Sequence, residues 1–199
     1  LTGFKFIGEQ IGNLEADGEE ERYVFGFEES YGYLAGTYVR DKDAVIAAML
    51  ICEMVAYYKA EGKNLIEVLD NLYAKYGYYY CSQKSFTCEG QAGMKQIAGI
   101  MDRLATNPPS EVEGVAVSRF DNLNKSESLD IASGKISTIN LPKSNVLGFY
   151  FADGSSLIVR PSGTEPKIKL YLSAVGATNA EALSERETLE VSGTKLLGF

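Results

Sequence analysis

A chain of 199 residues that is 45% hydrophobic and 23% charged, with 20 Gly and 5 Pro, has the composition of a globular protein of one or two domains and is neither disordered nor collagen-like. Its 19 Lys and Arg against 27 Asp and Glu leave a formal charge of −8. A uniformly acidic surface repels nucleic acid and anionic membranes, so neither is an expected partner, and any bound anion needs a local cluster of donors.

The sequence contains no histidine, which excludes Ser-His-Asp chemistry and His-ligated metals within this chain. Three cysteines, Cys52, Cys81 and Cys88, are too few and too irregularly spaced for a disulfide framework. They fit reduced thiols in a cytoplasmic protein, with Cys81 and Cys88 read as small apolar residues. No apolar run is long enough to span a membrane. The first residue is Leu1 rather than Met, which raises the expectation of a piece of something longer.

In chain order, Tyr23 to Phe27 reads as a short buried strand entering a loop with Gly and Glu. A helix follows over 44–59, with Asp41 or Asp43 as its N-cap. Few charges interrupt it between 44 and 58, so it is expected to be covered on more than one side. Asn64 and Glu67 form a capping box for a second helix, whose stripe is Leu65, Val68, Leu69, Leu72 and Tyr76, with Gly77 at the C′ position. Beyond it the spacing predicts a strand over 78–87 and a helix over 91–104 with Met94, Ile97, Met101 and Leu104 inward, stopped by Asn107-Pro108-Pro109. Strands then dominate: 115–120, and 146–152 joined to 156–159 by an Asp153-Gly154 hairpin turn. Ile168, Leu170 and Leu172 alternate with Lys167, Lys169 and Tyr171 in a further strand. The tail from Thr178 is helix-like, and the natural domain boundary lies at 76/77.

Two loops could carry chemistry. In Arg160-Pro161-Ser162-Gly163-Thr164-Glu165-Pro166-Lys167, arginine offers a planar fork of donors suited to phosphate oxygens. Ser162 and Thr164 add hydroxyls, Gly163 lets backbone N–H groups approach an anion, and Lys167 adds a second cation. The plain alternative is a surface turn with solvated charges. In Gly26-Phe27-Glu28-Glu29-Ser30-Tyr31-Gly32, Glu28 and Ser30 stand two apart at a strand end, where both could face one ligand and bind neighbouring sugar hydroxyls. Two solvated glutamates are the plain reading, and a glycosidase pair of Glu28 and Glu29 suits neighbours of opposite facing poorly. Lys5 is a third candidate, for proton donation or phosphate contact.

Thr2-Gly3-Phe4-Lys5, the 26–32 loop, Arg40-Asp41-Lys42-Asp43 and the 160–166 loop occur in this order in the alpha-D-phosphohexomutases, which the chain resembles over nearly its whole length. The resemblance implies a four-domain enzyme interconverting glucose 1-phosphate and glucose 6-phosphate, with mannose or another hexose or pentose phosphate as the alternative substrate. A phosphoserine donates its phosphoryl group and glucose 1,6-bisphosphate is the intermediate. By the same resemblance Glu28 and Ser30 bind the sugar hydroxyls. Arg160, Ser162, Gly163 and Thr164 grip the phosphate that is not transferred, Lys167 assists, and Lys5 lies in the loop tied to sugar orientation and proton transfer. The implied fold is mixed α/β and α+β. Residues 1–76 would be the C-terminal part of a third, sugar-binding α/β domain, and 77–199 a fourth domain: an antiparallel sheet with helices on one face, as in the TATA-box-binding protein.

The family's Thr-Ala-Ser-His-Asn-Pro-type phosphoserine loop is absent, as is its Asp-Gly-Asp-x-Asp-Arg-type magnesium loop; the two Asp-Gly pairs are Asp17-Gly18 and Asp153-Gly154. The implied Mg2+ would therefore be held by ligands outside this chain, and the expected partners are a hexose phosphate and the missing N-terminal domains. The expectation is a substrate-binding portion, inactive by itself, with an exposed apolar patch or looser order over 1–62. A free-standing sugar-phosphate-binding module is the rival reading.

Overall fold

A helix that the sequence pattern does not announce opens the computed structural model, which describes residues 3–28, 30–163 and 165–199. This helix, α1, runs Lys5–Asp17 and ends on Gly18, whose left-handed φ of +68° lets its N–H reach back to Glu15. Its buried positions are Gly8 and Ile11, too few to produce a periodic apolar signal. At Gly8 a Cβ would stand 2.6 Å from the Arg40 carbonyl oxygen, so glycine permits that close approach.

Strands β1 (Phe25–Phe27) and β2 (Tyr33–Ala35) pair antiparallel, Gly26 opposite Leu34. The expected strand is present, but it is not buried: Val24 and Phe27 are exposed. Phe4, Ile11 and Leu34, flanked by Ile7 and Tyr23, make the small core there.

Helix α2 (Ala44–Ala60) is capped by Asp43, whose carboxylate accepts from the N–H groups of Val45 (2.8 Å) and Ile46 (3.4 Å). The expectation that this helix is covered on more than one side fails: none of its residues is buried, and Val45 is 79% exposed. Helix α3 (Leu65–Tyr76) begins with the expected capping box, Asn64 accepting from Ile66 and Glu67 N–H (3.0 Å each) while Glu67 accepts from Asn64 N–H (2.9 Å). Gly77 follows at φ +97°. The α3 stripe is also uncovered, with Leu69, Leu72 and Tyr76 exposed. By density of contacts the chain forms two units, 1–71 and 72–199.

The second unit is built on one sheet. Its strands are β3 (Tyr78–Thr87), β4 (Glu111–Val112), β5 (Val115–Asn122), β6 (Glu127–Asp130), β7 (Ile136–Thr138), β8 (Leu147–Phe151), β9 (Ser156–Pro161) and β10 (Lys167–Gly176), with α4 (Gly90–Thr106) after β3 and α5 (Asn179–Leu197) after β10. The order is β3-β10-β9-β8-β5-β6-β7, antiparallel throughout, with β4 beside β5. Alternation decides the two faces. Ile168, Leu170, Leu172 and Ala174 of β10, Leu157 and Val159 of β9, and Leu147, Phe149 and Phe151 of β8 join Ile97, Ile100, Met101 and Leu104 of α4 and Leu189 and Leu197 of α5 in one core. Lys167, Lys169 and Tyr171 fall on the opposite face. Met94 of α4, expected inward, is 53% exposed; it precedes by one turn the positions that meet the sheet. Cys88 is buried as expected, but Cys81, on the outward phase of β3, is exposed.

Two glycines of α4 give opposite expectations. At Gly93 a Cβ would stand 2.0 Å from the Cys88 carbonyl oxygen, whereas at Gly99 it would meet nothing within 4 Å. Gly99→Ala should stabilise the second unit by up to about 1 kcal/mol through helix propensity. Gly93→Ala should destabilise it by at least the ~1–3 kcal/mol of an overpacked core, since a backbone atom must give way. Urea unfolding of both variants checks the sign difference; equal shifts would refute the close approach.

Candidate functional site

The sequence-predicted residues fall in two groups, one in each unit. In the first unit, β1 stops at Phe27, so Glu28 and Ser30 lie in a hairpin loop instead of on a strand, and the facing argument from alternation does not apply to them. The loop is closed by a hydrogen bond from Glu28 N–H to the Gly32 carbonyl (2.8 Å). Tyr31 takes a left-handed φ of +63° and is 87% exposed. Ser30 is exposed and Glu28 half-buried. One carboxylate oxygen of Glu28 accepts from Gly3 N–H at 3.0 Å. The other lies against Gly32, where a Cβ would come within 3.0 Å of both that oxygen and Lys42 Cδ. Two separated motifs, Gly3–Lys5 and Glu28–Gly32, are thus tied together, with Lys42 beside them.

Lys5 is the first residue of α1 and does not lie in a loop, which corrects the sequence expectation. Its backbone is helical because Gly3, at φ +120°, turns the chain and accepts from Phe6 N–H (3.1 Å). Its ammonium lies 5.0 Å from the centroid of the Phe6 ring, a cation–π contact on an exposed side chain. Phe4, next to it, is buried and has Lys42 Nζ 5.8 Å from its centroid.

The Arg40–Asp43 segment is a hub of local hydrogen bonds. Arg40 pairs with Glu15 (2.5 Å) and donates to the Thr37 carbonyl (2.8 Å). Lys42 donates to Asp41 from both its backbone N–H and its ammonium, and these bonds hold the Asp41 carboxyl below its ordinary pKa. The Tyr38 hydroxyl donates to Asp43 at 2.6 Å, which lowers the Asp43 pKa and raises that of Tyr38. Asp43 N–H in turn bonds the Tyr33 carbonyl (2.8 Å), anchoring the start of α2 to the hairpin.

In the second unit the 160–167 loop joins β9 to β10, two adjacent strands of the sheet. Arg160 is the penultimate residue of β9 and pairs across the ladder with Lys169. Ser162 N–H donates to the Lys167 carbonyl (2.8 Å), and Glu165 N–H to the Ser162 hydroxyl (3.3 Å). Lys167 N–H bonds the Glu165 carbonyl (2.7 Å) and its ammonium reaches Glu165 at 3.2 Å. Cys88 N–H donates to the Pro166 carbonyl (2.9 Å), which fastens the loop to the start of α4. Around Gly163 a Cβ would meet nothing within 4 Å. Thr164 lies outside the described residues, as do Thr2 and Glu29.

The strand pairing adds a residue that motif reading missed. Lys169 stands directly opposite Arg160 on the helix-free face, one alternation from Lys167. Like charges opposed across strands repel unless an anion lies between them. The signal was present in the alternation of Lys167 and Lys169 with the buried Ile168 and Leu170.

Among the described residues no group of three or more Asp, Glu or Cys converges where a metal ion could be held. The implied magnesium finds no ligand set among them.

Comparison with known proteins carries the family. The model for the phosphoglucomutase/phosphomannomutase alpha/beta/alpha domain III matches residues 1–76, and that for the C-terminal domain of the same family matches residues 89–190. The chain belongs to the phosphoglucomutase/phosphomannomutase family. It is 42% identical over 173 residues to the phosphoglucomutases of Staphylococcus aureus strains bovine RF122 / ET3-1 and USA300, an alignment covering 87% of this chain and 31% of each relative. The chain thus spans about a third of the length of the curated relatives it matches. Its fold is similar to the open form of a Paramecium phosphoglucomutase, the exocytosis-sensitive phosphoprotein pp63/parafusin, with a TM-score of 0.65 at 20% identity over 98% of this chain and 32% of that one.

Proposed function

We propose that this chain is the substrate-binding C-terminal portion of a phosphoglucomutase interconverting glucose 1-phosphate and glucose 6-phosphate through a phosphoserine enzyme and a bisphosphorylated glucose. Residues 1–76 supply the sugar contacts and 77–199 the phosphate grip. The observation that carries the reading is the 160–167 loop, held at both ends by paired strands of one sheet and opened at Gly163. A loop so anchored loses little freedom when it closes on an anion.

The division of labour follows from donor chemistry. Arg160 presents a planar fork to two phosphate oxygens, and Ser162, Thr164 and the backbone at Gly163 donate to the third. Lys167 and Lys169 supply compensating charge. The acceptor-only Glu28 and the hydroxyl of Ser30 take the sugar hydroxyls, with Glu28 oriented by the Gly3 N–H. Lys5, two residues after the Gly3 whose N–H meets that carboxylate, orients the sugar or passes a proton to it. Phosphoryl transfer itself belongs to residues outside this chain, so the chain alone does not turn substrate over. Glucose over mannose rests on the S. aureus relatives' names and on Glu28-Glu29-Ser30.

Titration of the chain with glucose 1-phosphate, followed by amide NMR, tests the reading. A single phosphate site should bind on the order of millimolar, about 4 kcal/mol, with saturable shifts centred on 160–169. No shift at tens of millimolar would remove the claim that this loop grips phosphate without further domains. Shifts confined to the first unit would overturn the assignment to Arg160.

A further inference from the structure

The 160–167 loop carries its own anion. From 160 to 169 the sequence has three cations, Arg160, Lys167 and Lys169, and a single acid, Glu165. The Glu165 carboxylate lies 3.2 Å from the Lys167 ammonium. Backbone bonds set up that approach. Lys167 N–H donates to the Glu165 carbonyl at 2.7 Å, and Glu165 N–H donates to the Ser162 hydroxyl at 3.3 Å. Pro166, between the two, has a fixed φ, so the pair closes a short turn with little chain freedom to lose.

Two properties decide what such a pair can do. The side chains of Lys167 and Glu165 keep 35% and 56% of their surface exposed, and pairs this open contribute at most ~1 kcal/mol. The contact is therefore easily broken. A carboxylate also offers the ammonium the same kind of charged oxygen acceptor as a phosphate, with less negative charge behind it.

We propose that Glu165 is a placeholder for phosphate, paired with Lys167 until an arriving phosphoryl group displaces it. This rests on the assignment of the 160–167 loop as the phosphate grip. The attraction of Lys167 for the ligand is partly offset by loss of the Glu165 contact. The displaced carboxylate, tethered two residues away, then repels the phosphate that replaced it. Both effects weaken the hold and hasten release, which suits a grip that must open again. Glu165 thus lowers affinity from within the very motif that supplies the donors.

Titration with glucose 1-phosphate, followed by amide NMR, of the parent, Glu165→Gln, Lys167→Gln and the double variant tests this. Glutamine keeps the size of glutamate and removes its charge. Glu165→Gln should bind about three- to tenfold more tightly, the range for removing one exposed like charge at contact distance. In the Lys167→Gln background the same substitution should gain less, because no ammonium is left to be contested. Without ligand, Glu165→Gln should move the side-chain ammonium signal of Lys167, and an unmoved signal overturns the pairing. Equal or weaker binding by Glu165→Gln, beside a parent whose shifts centre on 160–169, overturns the placeholder and leaves the grip standing. An equal gain in both backgrounds also overturns it, reducing Glu165 to a general repulsive charge. Absence of shifts at 160–169 in the parent and in Glu165→Gln removes the grip itself, and the placeholder with it.

Discussion

Phe149→Ala is expected to remove about 3–5 kcal/mol of stability from the second unit. Phe149 has no exposed surface, sits mid-strand in β8 opposite Leu157, and meets Phe120 of β5 with ring centroids 5.1 Å apart. Strands on both sides of β8 therefore flank this ring, and neither can close the gap without shifting the ladder hydrogen bonds. A domain of this size has a net stability of about 5–15 kcal/mol, so the loss is a large fraction of the total. Urea unfolding monitored at second-unit residues measures it. Phe149→Leu, which keeps most of the volume, should cost much less. A loss under ~1 kcal/mol for the alanine variant would mean that the core collapses freely around the site.

Arg160→Ala is expected to weaken glucose 1-phosphate binding by about 10- to 100-fold, the range of roughly 1.5–3 kcal/mol carried by hydrogen bonds to a charged group. From a millimolar start that is loss of detectable binding. Arg160→Lys retains charge but not the two-pronged geometry, so it should recover only part of the affinity. Equal binding by the lysine variant and the parent would reduce the role of Arg160 to simple charge. Unchanged binding by the alanine variant would move the phosphate site elsewhere. Arg160 is near the end of β9 and outside the packed core cluster, and the unfolding midpoint of each variant, measured beside its affinity, separates binding from folding.

The parts legible in the sequence are those in which a local rule and the tertiary context agree. The Asn64–Glu67 box, the Asp43 cap and the Asp153-Gly154 turn are closed by hydrogen bonds between near neighbours. The apolar phase of 168–172 coincides with burial because a single face of the sheet is packed. The illegible parts depend on what lies beyond a residue's neighbours. Helix α1 buries only a glycine and one isoleucine, leaving no stripe to read. Strands β6 and β7 are short and mostly polar, and are recruited mainly by pairing, with Leu129 of β6 packed against the core. The apolar surface of α2 calls for cover on more than one side, and none of its residues is buried, in line with the exposed apolar patch expected over 1–62. Composition shows what a helix needs; it does not show whether the covering layer is within reach. For the site, residue types pointed to the loop, and only the register of β9 on β10 revealed Lys169 as the neighbour of Arg160.

That register makes the strand pair a measuring device. Hydrogen-bonded on both sides, to β3 and to β9, β10 holds its charged side chains to positions counted in whole residues from its apolar ones. A slip by one residue would drive Lys167 and Lys169 into the core and turn Ile168 and Leu170 out to water, a penalty that no ligand could repay. The spacing of the cations on this strand is thus set by oil rather than by charge, and under the proposed function a change of ligand preference in this loop has to come from side chains swapped in place, because the strand beneath cannot be retuned in smaller steps.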